Sequence, residues 1–137
     1  LGGFDAALKV FVHEWQEWQR TLFPIEVVQP REKDFYRISM MVINAHEAKS
    51  LPGGIIASLS IPWGFSRWGK DLGGYHLVWP RDMVEIAGAR LAGGGAEDAR
   101  RVLHYLWTTQ ESDGRWAQNM WLNGQPYWDA VQREYPG

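Results

Sequence analysis

The stretch PRDMVEIAGARLAGGGAEDARRVLHYLWTT, residues 80–109, decides the fold. Met83, Ile86, Ala87, Arg90 and Leu91 recur at the three- and four-residue spacing of a helix beginning near residue 81 or 82. Pro80 suits a first turn, because the N–H it lacks would go unbonded there in any case. Asp82 adds negative charge near the positive helix end. Three glycines at 93–95 stop this helix, and a second pattern starts at once over 96–109, with Ala99, Val102, Leu103 and Leu106 on one face. The first helix has a modest polar side, with Glu85 and Arg90 as its main charges, so it suits an inner helix buried on two sides. Two helices joined by a glycine turn, with no alternating strand pattern between them, predict an all-α chain.

Upstream, Phe4, Ala7, Leu8, Phe11, Val12 and Trp15 predict an amphipathic helix over about 4–20. Pro24 and Pro30 bracket IEVVQ, whose β-branched residues favour an extended piece. Phe35, Ile38, Met41, Val42 and Ala45 predict another helix over about 34–49, ended by LPGG. GIIASLSIPWG reads as strand or extended loop, and 65–79 as a long loop rich in glycine and aromatics, a kind often functional. ESDGRW is a turn. Beyond it WLNGQPYW carries an Asn-Gly turn signal, which its proline keeps from being a simple hairpin.

Composition narrows the function classes. At 137 residues the chain suits one domain or part of a larger one. With no cysteine, thiol catalysis and zinc–thiolate sites are excluded. His13, His46, His76 and His104 stand at no ligand spacing, so no metal is expected. The formal charge is −2 with no basic stripe, which argues against a nucleic-acid partner. No run approaches the ~18 apolar residues of a membrane span, so no membrane partner is expected. Serine-elbow, phosphate-loop and dinucleotide patterns are missing, and no cofactor is expected. Nine tryptophans are the informative bias. They suit a large core or the stacking of flat ligands, and the charge balance favours sugars over bases.

The candidate site centres on GGYHLVWPRD, residues 73–82. An arginine beside an aspartate at a loop-to-helix junction offers donors and acceptors that match vicinal sugar hydroxyls. The plainer alternative is that Asp82 caps the helix while Arg81 pairs locally. Trp63, Trp68, Trp79, Trp116, Trp121 and Trp128 lie in loops or near helix ends, where each either stacks on a pyranose or packs its loop. Glycoside hydrolysis needs two carboxyl groups across the scissile bond. Asp71, Asp82, Asp113, Asp129 and Glu134 are available, and spacing singles out none. The residues alone indicate a sugar-binding helical protein without assigned catalytic groups.

Three segments in order, GGIIASLSIPWG, GGYHLVWPRD and DGRWAQNMWLNGQPYW, resemble the bacterial branch of the glucoamylase and glucodextranase family, glycoside hydrolase family 15. The likeness runs from about Arg37 to Gln132. It implies part of an (α/α)6 barrel, about three barrel helices after a linker helix, with residues 1–33 as linker and 34–137 as the N-terminal part of the catalytic domain. The implied activity is inverting exo-hydrolysis, releasing glucose from the non-reducing ends of α-1,4-glucans, with α-1,6-glucan or trehalose as alternatives. An α-glucan or oligosaccharide is the implied partner. The resemblance gives Arg81 and Asp82 the hydroxyls of the terminal glucose, puts Tyr75 near the scissile bond, and has Trp79 line the pocket. Trp128 would stack near the first subsites, with Gln132 close by. Bacterial members read Gln-Leu-Asp-Glu where this chain has Gln132, Arg133, Glu134 and Tyr135, so Glu134 receives no catalytic role. Both catalytic acids are expected beyond Gly137, and this chain alone is expected to be inactive or a non-catalytic sugar-binding piece. Helices lacking their barrel neighbours would expose apolar faces and favour self-association. Neither a secreted nor a cytoplasmic bacterial location follows from these residues.

Overall fold

The computed structural model describes residues 2–24, 30–59 and 75–127, with side chains from Asp34 onward in the second stretch. Its regular elements are α1 (Phe4–Thr21), α2 (Pro30–Ala45), α3 (Pro80–Ala92) and α4 (Ala96–Thr109). Among the described residues no strand forms, only isolated bridges pairing Glu47 with Ile55, Val78 with Met120, and Met120 with Pro126. The chain is all-α, as its periodicity predicts.

α3 and α4 fold back on each other across the glycine turn and form the main helix pair. Met83, Val102, Tyr105 and Leu106 close a core with Ile55, Val78 and Met120, which the connecting loops bring down onto the pair. The glycines at 93–95 do more than end a helix. A Cβ on Gly93 would stand 2.8 Å from the Met40 Cε of α2, and one on Gly94 would stand 2.8 Å from the Phe23 ring. Gly94 also has φ +89°, a left-handed conformation that side chains resist. The turn is therefore the point where the chain following α1 and the body of α2 meet the hairpin. Phe23 N–H donates to Gly93 O at 2.8 Å, and the Tyr36 hydroxyl reaches Phe23 O at 3.2 Å.

Three local expectations need correction. α2 spans 30–45 rather than 34–49. It opens on Pro30, which fits a first turn, and the chain leaves the helix at His46 because Glu47 pairs with Ile55 in a bridge. Leu103 does not share the buried face of α4; it is exposed, and Tyr105 fills that role. Arg90, read as a polar-side charge of α3, is wholly buried. The apolar residues Phe35, Ile38, Met41 and Val42 of α2 form a face, but an exposed one, as do Val84 and Leu91 on α3. The IEVVQ piece and most of the 65–79 loop lie outside the described residues.

Candidate functional site

The head of α3 is built by its neighbours. Val78, wholly buried, exchanges backbone hydrogen bonds with Met120 at 2.9 and 3.0 Å. Ala57 N–H donates to Leu77 O and Ser58 N–H to Tyr75 O, each at 2.9 Å. Met120 also bridges to Pro126, across a tight turn in which Gly124 takes φ +85°. These single bridges hold the 55–58, 75–79 and 119–127 segments side by side at one end of the helix pair. Trp79 then enters α3 in an extended conformation and Pro80 occupies the first turn. Met83, with no exposed surface, pins that turn to the core.

Trp79 and Arg81 therefore emerge together. The Arg81 guanidinium carbon stands 6.0 Å from the Trp79 ring centroid, a cation–π distance. Arg81 Nη2 lies 3.4 Å from Asp82 Oδ2, a long contact between exposed groups (Arg81 side chain 80% exposed) that contributes little by itself. Asp82 supplies charge to the first turn but no capping hydrogen bond. The local-pairing alternative thus holds for Arg81, and the capping alternative does not hold for Asp82. A cleft of about 270 Å³ opens here, lined by Trp79, Pro80, Arg81, Trp116, Ala117 and Gln118. The Trp116 ring is fixed by its indole N–H, which donates to Leu106 O at 2.8 Å.

The structure thus brings Trp79 and Arg81 to one cleft; Asp82 does not line it and reaches it only through its contact with Arg81. Tyr75 is on the same loop and 44% exposed, but its side chain does not line the cleft. Trp128 and Gln132 lie outside the described residues, as do Asp71, Asp129 and Glu134. Asp113 is engaged by Arg115 at 2.6 and 2.9 Å, and this exposed ion pair holds its carboxyl below the usual range. Among the described residues no carboxyl group lines the cleft. Sequence reasoning passed over Ala117 and Gln118, although both stand inside the quoted 113–128 segment; only the fold shows that this segment returns to the head of α3.

A second feature was not anticipated. Arg90, with no exposed side-chain surface, places Nη1 2.8 Å from Glu47 Oε2. Arg101 donates to both Glu47 oxygens at 3.1 Å and lies 2.8 Å from Asp98, which in turn accepts from the Trp18 indole at 2.9 Å. Gly53 N–H donates to Glu47 Oε1 at 2.8 Å. Burial pushes the Glu47 carboxyl up, but Arg101, Gly53 and Arg90 together outweigh it and hold it below its ordinary value. The Glu47 partnership raises Arg101 in turn. Glu47 thus joins the loop after α2 to α3 and α4, while Asp98 ties in α1. The signal in the sequence was Arg90 itself, a charge standing on the apolar period of its helix.

The family model for glycosyl hydrolases family 15 matches residues 30–124. The chain belongs to that family. It is 37% identical over 129 residues to a glucoamylase from Clostridium sp. (strain G0005), a match covering 94% of this chain and 18% of that protein. It also superimposes on the crystal structure of a bacterial glucoamylase complexed with acarbose, with TM-score 0.77, 37% identity, and coverage of 93% of this chain and 18% of that one. The fold is accordingly part of the glucoamylase (α/α)6 barrel. The chain spans about a fifth of the length of the relatives it matches. The family match begins at the first residue of α2, so α1 lies outside it while remaining inside the longer likeness to the relatives.

Proposed function

We propose that this chain works within a longer family-15 glycoside hydrolase and supplies one wall of its glucose-binding pocket. The observation that carries the reading is the placement of Trp79 and Arg81 in one cleft at the head of α3, in a chain of this family. Arg81 would donate to the hydroxyls of a terminal glucose, and Asp82 would accept from them. The face of Trp79 would cover the apolar side of the ring. Tyr75, Trp128 and Gln132 complete the proposed wall on the strength of the family resemblance. The division at residues 33 and 34 between linker and catalytic part belongs to the same proposal; the family match begins four residues earlier, at the first residue of α2, which runs across that division.

The proposed reaction is inverting exo-hydrolysis of α-1,4-glucans. One carboxylic acid protonates the glycosidic oxygen while a carboxylate across the ring, about 6.5–9.5 Å away, activates water. Among the described residues no carboxyl group lines the cleft. The acid and base are assigned to the remainder of the longer protein on the strength of the family resemblance, and the 137-residue chain alone is expected to hold sugar without cleaving it. Glucose release from maltotetraose, isomaltotetraose and trehalose by the full-length protein tests the reading. Fastest release from maltotetraose is expected. Preference for either other substrate would move the activity to glucodextranase or trehalase, and release from none would overturn the hydrolase.

A further inference from the structure

A second cavity, larger than the cleft at the head of α3, lies elsewhere. It measures about 610 Å³ and lies between α1 and the residues following α2, within the volume range of ligand pockets. Its lining includes Glu47, so it sits beside Arg90, nine residues along α3 from Arg81. That is about 14 Å of helix, so the two cavities are separate sites.

One wall is aromatic. Phe11, Trp15 and Trp18 stand at four- and three-residue spacing on one side of α1. Successive rings meet at 54° and 81°, with centroids 5.9 and 5.6 Å apart, so they form a curved strip rather than a flat stack. Trp15 and Trp18 are half-buried, and the Trp18 indole is tied to Asp98. The strip is therefore held in place while part of its surface stays open.

The floor is polar but neutralised. Glu47 accepts from Arg101 through both oxygens and from Gly53 through Oε1, and Arg90 lies against Oε2 as an ion pair, so the floor is charge-balanced although the buried Arg90 Nε and Nη1 find no hydrogen-bond acceptor among the described residues. The rim keeps usable groups of both kinds. The Lys49 ammonium stands 5.8 Å from the Phe11 ring centroid and Glu14 lines the same cavity, neither in a salt bridge among the described residues. Asn44 accepts from Arg90 through its oxygen, which leaves its amide N–H₂ to donate. Apolar faces flanked by isolated donors and an acceptor, over a floor without net charge, fit a neutral polyhydroxylated ring.

We infer that this groove is a second, non-catalytic saccharide site that holds a segment of an α-glucan chain. The choice of α-glucan over another neutral saccharide rests on the proposed function. A chain engaged at two places raises the effective concentration of its free end at the first, so the site would serve long substrates.

Titration calorimetry with maltohexaose on the protein carrying Arg81→Ala tests this, because that change weakens the first cleft roughly ten- to hundredfold and leaves the groove intact. Binding is expected to persist, and adding Trp15→Ala is expected to weaken it about tenfold or more. Lys49→Met, at an exposed position, is the second variant should Trp15→Ala lose helix content; it too is expected to weaken binding. Loss of all binding on Arg81→Ala alone would overturn the groove and leave the first cleft standing. Unchanged affinity on adding Trp15→Ala to a folded protein, or on adding Lys49→Met, would also overturn it. Binding abolished by Trp15→Ala and untouched by Arg81→Ala would support the groove while sinking the assignment of the cleft.

Discussion

Replacing Glu47 by alanine should be among the most damaging single changes in the chain, and the structure says by how much. The Arg90 guanidinium has no exposed surface, and Glu47 Oε2 at 2.8 Å is its only acidic partner among the described residues. Removing one member of a buried pair leaves the other charge uncompensated, at about 3–5 kcal/mol. The Gly53 N–H, bonded to Glu47 at 2.8 Å, loses its acceptor as well. Arg101 is partly exposed and keeps Asp98, so its share is small, about 0–1 kcal/mol. These contributions overlap, and about 4 kcal/mol is the net expectation, a large part of the ~5–15 kcal/mol that stabilises an ordinary domain. Urea unfolding followed by helical circular dichroism reads this directly. The control is Glu47→Leu with Arg90→Met, which replaces the pair by apolar groups and should recover most of the loss, since such exchanges are often neutral. A loss below about 1 kcal/mol in Glu47→Ala would refute the reasoning. So would a double variant no more stable than the single one, because the damage would then not come from a stranded charge.

Two glycines should respond in opposite directions to alanine. At Gly53, φ is +84° and a Cβ would stand 2.2 Å from Arg101 O, so Gly53→Ala should cost at least ~2 kcal/mol; Gly88, within α3, meets nothing within 4 Å, and Gly88→Ala should gain ~0.4–1 kcal/mol. Thermal unfolding of both variants checks the pair. Stability should also fall at both ends of the pH range. Glu47 is held below 4.5 in the folded chain, so its contribution is present above that value and is lost as pH drops through the lowered pKa. Burial pushes the Tyr105 hydroxyl from 10.0 up to about 12, so its contribution is intact below 10 and is lost as pH rises through about 12. Tyr105→Phe should flatten the alkaline limb, and an unchanged limb would remove Tyr105 from the explanation.

What the sequence disclosed and what it hid divide along physical lines. The helices of residues 80–109 were legible because period and punctuation agree: Pro80 opens one helix, and glycines 93–95 separate it from the next. The same glycines hid their second role, since the approach of Phe23 and Met40 to the turn depends on contacts between distant segments. α2 was shifted by four residues because LPGG looked like its terminator, while Glu47 had already been drawn out of the helix by Ile55, Gly53 and two arginines. Arg81 and Asp82 could be singled out by residue type and position, while Trp79 stood out from the other loop tryptophans only through the family resemblance. Gln118 could not, because nothing local says that the 116–118 segment folds back beside α3. The apolar face of α2 was read correctly, but periodicity does not say whether an apolar face is covered, and α3, read as buried on two sides, leaves Val84 and Leu91 exposed. With barrel neighbours to meet, Val84, Leu91, Ile38 and Val42 remain outside the core of this chain.

The central claim is that Arg81 holds the terminal sugar of a substrate that the longer protein cleaves. Its most direct test is kcat/KM for maltotetraose in the full-length protein with and without Arg81→Ala. An interaction between a charged donor and substrate hydroxyls is worth about 1.5–3 kcal/mol, so kcat/KM should fall roughly ten- to hundredfold with the fold retained. An unchanged kcat/KM would contradict the account, since Arg81 would then be an ordinary surface arginine beside a tryptophan.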